Sequence, residues 1–353
     1  MLCHLALRMS KNLALLYVRK RLLILVLFIP ALVGCFHCFP ASFQNDLSFG
    51  AVFLPGTKAD DFGFLIDMLP SVEGLEGTDR YASVVVDAMQ YSVMAGGKRL
   101  RPLFIYETCR MYGGREELAA PFMAALEMIH NYSLVHDDMP AMDNDEYRRG
   151  RKTTWVVYGE GIAILAGDAL LNYAYETAVK AFDVCNDAKE TAGVISALKL
   201  LARNAGVYGM VGGQCADLEA EKKPEETGEE GLTYIHKHKT ACMIESGFQI
   251  GAILAGAPEE DVEKLGKIAE NIGIAFQIQD DILDVIGDSE ELGKPIGSDE
   301  QEGKVTYVTL HGLEKASQDV RRMSEEAIEL FDSLSVSNDF LRELILKLIT
   351  RTK

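Results

Sequence analysis

The stretch Ile268–Ile286, IAENIGIAFQIQDDILDVI, decides how the rest of the chain is read. Placed on a helical wheel, Gln277, Asp280, Asp281 and Asp284 fall within an arc of about 100°. Ile268, Ile272, Ile274, Ala275, Phe276, Ile278, Ile282, Leu283, Val285 and Ile286 cover about 200° of the opposite side. A helix apolar over so wide an arc belongs inside a bundle, and its narrow acidic stripe then faces a cavity. Several carboxylates cannot all stay ionised there without cations.

The same period extends through the chain. Ile162, Leu165, Ala166, Ala169, Leu170 and Tyr173 recur at helical spacing, and similar patterns predict helices over Tyr81–Met94, Phe122–Val135, Thr191–Tyr208 and Lys264–Ile286. Alternating strand-like runs are scarce, and hairpin dipeptides lack alternating apolar flanks. Gly96-Gly97, Gly113-Gly114 and Gly212-Gly213 punctuate the helices, and the Pro-broken polar stretch Glu221–Gly231 predicts a surface loop. No linker or repeat divides residues 60–353. The expected fold class is all-α, one large helix bundle with sites on facing helices.

A second acidic cluster lies upstream, in His136-Asp137-Asp138-Met139-Pro140-Ala141-Met142-Asp143. Asp143 stands about 600° round an ideal helix from Asp137, so a straight helix would not align them. A bend at Pro140 would bring the carboxylates together. Either cluster alone reads as a solvated acidic face. Two of similar form, both tied to apolar helices, read instead as carboxylate donors for Mg²⁺, which suits oxygen ligands without His or Cys. Basic groups stand beside them: Lys98, Arg99 and Arg101 in GGKRLRP, Arg148-Arg149 after the first cluster, and Lys239 and Lys294 near the second. His130 shares the face of Asp137 two turns, about 10 Å, away. Guanidinium forks are the usual partners of phosphate oxygens, so two anionic subsites are expected, one through metal and one through direct cations. The P-loop spacing is missing.

Of 353 residues, 53 are acidic and 35 basic, for a net charge of −18. The imbalance is uneven, because residues 1–59 hold six Lys/Arg and one acid, which leaves the remainder at −23. So acidic a body repels nucleic acid, and none is expected as a partner. Seven cysteines form neither a disulfide framework nor a zinc set, which points to a reducing compartment. Leu22–Asn45 carries no charge and follows Arg19-Lys20-Arg21; its apolar centre, residues 22–36, is short for a membrane span. Residues 1–59 therefore read as a signal, an anchor, or an extension foreign to the natural product. A cytoplasmic location is expected, with membrane association only if residues 22–36 act as an anchor.

These motifs resemble the trans-isoprenyl diphosphate synthases, or polyprenyl synthetases, and in particular their bacterial farnesyl diphosphate synthase branch. The likeness rests on GGKRLRP at 96–102, IHNYSLVHDDMPAMDNDEYRRG at 129–150, LAGDAL at 165–170, GMVGGQCADL at 209–218, HKHKT at 236–240, FQIQDDILD at 276–284 and LGKPIGSDEQEGK at 292–304. It implies a homodimeric helical bundle with its cavity between the two acidic helices. By the same resemblance, Asp137, Asp138, Asp143, Asp280, Asp281 and Asp284 hold Mg²⁺, about three ions, with Mn²⁺ as an alternative. Arg148, Lys239 and Lys294 are implied to contact the allylic diphosphate, and Lys98, Arg101, His130 and Arg149 the isopentenyl diphosphate. Thr240 and Gln277 are implied to face the developing allylic cation, and Tyr132 with Ser133 to set chain length. An aromatic residue five positions before Asp137 implies a fifteen-carbon farnesyl product, with a geranylgeranyl product as the alternative. A terpene cyclase would not need Lys98, Arg101 and Arg149, and a non-catalytic subunit would have lost carboxylates. The likeness fails before about residue 60, where Pro55, Gly56 and Gly63 oppose a regular first helix.

Overall fold

The structure is a computed structural model that describes residues 63–286 and 304–349. The elements run α1 Gly63–Met68, α2 Ser83–Val93, α3 Leu100–Met111, α4 Glu116–Asp137, strands β1 Tyr147–Arg148 and β2 Arg151–Lys152, then α5 Thr154–Tyr158 and α6 Glu160–Val179. They continue with α7 Ala188–Ala205, α8 Met210–Lys222, α9 Glu229–Ile235, a π-helical turn His236–Ala241, α10 Cys242–Ala255 and α11 Glu259–Ile286. After the undescribed interval come α12 Tyr307–His311, α13 Leu313–Asp332 and α14 Asp339–Ile349. The expected all-α class holds.

Helix α10 organises the core because it is apolar on most of its circumference, with only Glu245 and Gln249 forming a narrow half-buried polar stripe. Met243, Ile250 and Leu254 pack with α4, α6 and α7, while Ile244, Phe248 and Ala252 pack with α11, α13 and α14. Two glycines let α3 lie against it. A Cβ at Gly251 would stand 2.4 Å from the Ile105 carbonyl oxygen, and one at Gly247 3.0 Å from Phe104 Cβ. That approach stacks the Phe104 and Phe248 rings with centroids 4.5 Å apart. Each fully buried ring contributes about 2–3 kcal/mol of transfer free energy. The chain leaves α10 through Gly256 at φ 71, a left-handed terminus, and Pro258 follows.

Three local expectations need correction. The predicted loop Glu221–Gly231 is shorter, since α8 runs to Lys222 and α9 begins at Glu229. Glu229 and Glu230 in the first turn of α9 complement the positive end of that helix. A two-stranded hairpin, Tyr147↔Lys152 and Arg148↔Arg151, was not foreseen. Its turn is Arg149-Gly150, at φ 53 and 73, the left-handed pair that a two-residue hairpin requires, but without the usual Asn-Gly or Asp-Gly. Val285 and Ile286 are 52% and 60% exposed, so the apolar arc of α11 narrows at its end. No helix among the described residues is long and apolar enough to cross a membrane. Residues 1–59 and Lys294 lie outside the described residues, as do the expectations placed on them.

Candidate active site

Helix α4 delivers the first acidic cluster. It ends at Asp137, and the chain turns back so that the Asp143 amide donates to the Asp137 carbonyl at 2.8 Å. The Met142 and Asn144 amides both donate to Met139, at 2.9 and 3.0 Å, and Asn144 takes φ 55. This is the bend expected at Pro140. Asp138 is only 4% exposed and accepts Arg148 Nε at 2.5 Å; Arg148 also reaches Asp145 at 3.4 Å. Loss of hydration, reinforced by the neighbouring carboxylates, pushes Asp137 up to about 7 and Asp138 up to about 6, and Asp143 moves the same way. Lys239 and Arg148 oppose that rise at Asp137 without cancelling it. The cluster favours a cation or protons.

The π-helical turn, which also holds Thr240, carries Lys239 to the first acidic cluster. Such turns disturb helical register and concentrate at functional sites. Here two glycines admit the turn. A Cβ at Gly213 would lie 2.1 Å from the Lys239 amide nitrogen, and one at Gly273 would lie 2.4 Å from Ala241 Cβ. Lys239 forms an ion pair with Asp217 of α8 and acts electrostatically on Asp137 and Asp143. Asp217 is a site residue that sequence reasoning missed. Its signal was the position one helical turn after Gly213, on the face that meets the π turn. We expect Gly213→Ala to lower the melting temperature by roughly 5 °C or more, because backbone rather than a flexible side chain blocks the added methyl. Thermal denaturation followed by circular dichroism checks this; an unchanged melting temperature would mean that α8 can withdraw from the turn.

One helical turn past Gly273, Gln277 opens the stripe on α11. Gln277, Asp281 and Asp284 are half-buried and Asp280 is exposed. Asp281 Oδ2 accepts the Tyr307 amide at 2.7 Å. Among the described residues, no three His, Cys, Asp or Glu side chains converge as a ready ion cage. The donors are nonetheless carboxylate oxygens throughout. They fit Mg²⁺, which takes one or two carboxylates and fills its octahedron with water and substrate phosphate oxygens.

The cationic subsite forms between α3, α4 and the hairpin. His130 stands among Arg101, Arg149, Arg99 and Arg148, and lost hydration followed by those four charges holds it well below the usual imidazole range. It is a neutral ring at pH 7. Arg149 donates to the Gly96 carbonyl and lies so close to Gly97 that a Cβ there would be 2.7 Å from Nη1. Burial pushes Arg149 down to about 10. Arg101 is lowered chiefly by burial, and its Nε is shielded from solvent with no hydrogen-bond partner. Lys98 is exposed at the rim. Sequence reasoning counted Arg99 in the basic cluster without a substrate contact, and Arg99 bonds to Glu127 and to the Val93 carbonyl; it assigned no role to Glu127, 2% exposed and also bonded by Asn131. Glu127 is one interior anion among four guanidiniums, so the pocket stays positive. The non-glycine residues with positive φ among the described residues are Arg99, Asn144 and Arg149, and all three belong to these two subsites.

Tyr132 is 6% exposed, packed in the core edge-on to His136 at 5.8 Å, and its hydroxyl has no partner. Ser133 Oγ donates to the His130 carbonyl at 2.9 Å, so its hydroxyl serves its own helix.

Residues 82–340 match the polyprenyl synthetase family. The chain belongs to that family. Among curated polyprenyl synthetases, it is 46% identical over 246 residues to a geranylgeranyl diphosphate synthase of Cyanophora paradoxa, covering 69% of this chain and 80% of the relative. It is 45% identical over 258 residues to a chloroplastic geranylgeranyl pyrophosphate synthase of Capsicum annuum, covering 71% and 67%. The fold matches a Helicobacter pylori geranyltransferase complexed with magnesium and isoprenyl diphosphate, with a TM-score of 0.68 at 30% identity, over 86% of this chain and 96% of that one.

Proposed function

We propose that this polyprenyl synthetase is a trans-prenyltransferase that joins isopentenyl diphosphate to an allylic diphosphate and yields geranylgeranyl diphosphate. The observation that carries the reading is the pairing of two unlike anion subsites along α4. The guanidinium cluster surrounds His130, and the carboxylate cluster begins two turns later at Asp137. A carboxylate cluster binds a diphosphate only through cations, whereas the arginines bind one directly. Two diphosphates are thus held by different means.

Mg²⁺, when bound by Asp137, Asp138, Asp143, Asp280, Asp281 and Asp284, neutralises charge on the leaving diphosphate. Lys239, fixed by Asp217, and Arg148 add fixed positive charge beside the same group. Arg101, Arg149, Lys98 and neutral His130 hold the isopentenyl diphosphate so that its double bond meets the allylic carbon, which replaces a random encounter by a set geometry. Thr240 and Gln277 offer only dipoles towards the electron-poor carbon and no nucleophile strong enough to trap it. The final proton passes to the departing pyrophosphate, because the carboxylates are engaged elsewhere. Both acidic clusters and the second cationic subsite are retained, which disfavours a terpene cyclase and a non-catalytic subunit.

The names of the curated relatives support the twenty-carbon product. One observation favours fifteen: Tyr132, five residues before Asp137 on α4, buries a phenol in the core. Product mass from dimethylallyl and isopentenyl diphosphates decides between them. We expect geranylgeranyl diphosphate from the native chain and no product shorter than that from Tyr132→Ala. Farnesyl diphosphate from the native chain, lengthened in Tyr132→Ala, would make Tyr132 the floor and overturn the geranylgeranyl reading.

A homodimer follows from the same family reading, and the exposed Ile164 and Leu165 of α6, at 47% and 54%, support it. The chloroplastic relative, together with the basic, acid-poor residues 1–59, favours a plastid over the cytoplasm.

A further inference from the structure

The segment Lys304–His311 touches both halves of the candidate site and is tied to four helices. Lys304 pairs with Glu221 of α8 at 3.5 Å and acts electrostatically on Asp143 of the first acidic cluster. The Tyr307 amide donates to Asp281 Oδ2 of the second cluster at 2.7 Å. The Tyr307 hydroxyl donates to Asp319 Oδ2 of α13 at 2.8 Å. Asp319 is 5% exposed and is itself held by Lys315 and, at 3.6 Å, by Arg322. Beyond it, the His311 ring lies tilted against Tyr307 with centroids 4.5 Å apart and approaches Glu229 of α9 at 3.9 Å.

Two hydrogen bonds of one residue therefore point in opposite directions. The hydroxyl fastens Tyr307 to a buried acid on a rigid helix, and the amide fixes the plane of the Asp281 carboxylate. A carboxylate that receives such a bond is held in one rotamer, as the supporting contacts of metal ligands commonly require. Tyr307 reaches Asp319 across the α12–α13 junction, and Lys315 and Arg322 hold the same carboxylate. We propose that Tyr307 is a positioning residue for the second acidic cluster, with Asp319 as its anchor and Asp281 as the group it orients. The proposal rests on the functional reading above. Tyr307 is assigned the role of holding Asp281, not of contacting a substrate. It acts on the Mg²⁺–diphosphate subsite and leaves the guanidinium subsite alone, because none of its bonds reach α3, α4 or the hairpin.

Removal of the hydroxyl in Tyr307→Phe keeps the ring, the amide and the remaining partners of Asp319, so the fold survives. The test is calorimetric titration of the full chain with inorganic pyrophosphate in excess Mg²⁺ and, separately, with isopentenyl diphosphate. Pyrophosphate affinity should fall about tenfold in Tyr307→Phe, the scale of one hydrogen bond to a charged group. Isopentenyl diphosphate affinity should stay within about twofold of native. If Tyr307 works through Asp281, Tyr307→Phe should add little to the loss already present in Asp281→Asn. Unchanged pyrophosphate affinity, equal weakening of both ligands, or fully additive losses would each overturn the positioning role. A native chain that binds no pyrophosphate with Mg²⁺ would contradict the functional reading itself, and the positioning role with it.

Discussion

Asp137→Ala should reduce prenyl transfer by roughly a thousandfold or more, corresponding to about 4 kcal/mol of lost transition-state stabilisation. The residue lies where α4 ends, its carbonyl is the acceptor that folds Asp143 back, and its side chain is crowded by two further carboxylates. The Ala variant keeps that backbone bond, so the loop should persist. Stability should move in the opposite direction from activity. Asp137 is pushed up to about 7 in the folded chain, so its contribution to stability is fully present below its unfolded value and is lost as pH rises through about 7. At pH 8 without metal, its buried charge therefore opposes folding, and Asp137→Ala should melt at the native temperature or above it. The advantage should shrink as pH falls and vanish only below about pH 4, where Asp137 is protonated in the folded and unfolded chains alike. Turnover within tenfold of native, or a lower melting temperature at pH 8, would remove Asp137 from the role assigned to it.

The second large effect is expected at Arg101. Its Nε is shielded from solvent and lacks a partner, while burial lowers its affinity for a proton. A buried, incompletely bonded guanidinium is costly to the empty protein and valuable to an arriving anion. Arg101→Met should raise the KM for isopentenyl diphosphate by about a hundredfold or more, near 3 kcal/mol, with little change in the KM for the allylic diphosphate. The metal-free protein should be as stable as native or more so, since Glu127 keeps its ion pair with Arg99. Steady-state kinetics with each substrate varied in turn separates the two subsites. Equal rises in both KM values would show that Arg101 maintains the fold of the site rather than binding one substrate.

Much of this site was legible in one dimension because its residues lie on helices. The wheel of Ile268–Ile286 placed Gln277, Asp280, Asp281 and Asp284 on one stripe, and Pro140 marked where the first cluster must turn. The rest depended on contacts between helices distant in sequence. Asp217 pairs with Lys239 only because Gly213 admits the π turn, and a π turn has no periodicity that a helical wheel detects. Glu127 reads as an interior helix position until Arg99, in a left-handed conformation, reaches it from α3's start. The hairpin at Tyr147–Lys152 escaped notice because its turn is Arg149-Gly150, a residue pair selected by the pocket rather than by turn preference. Tyr307 stood outside every acidic motif, and it joins the site through its backbone amide, a group that residue identity does not reveal.

The most direct measurement is incubation of the purified chain with dimethylallyl and isopentenyl diphosphates, with pyrophosphate release and product mass followed with Mg²⁺ and with a chelator. Mg²⁺ should give stoichiometric pyrophosphate release and a prenyl diphosphate lengthened in five-carbon steps, and the chelator should abolish both. Pyrophosphate release without a lengthened diphosphate, or lengthening that persists in the chelator, would contradict the paired-subsite account.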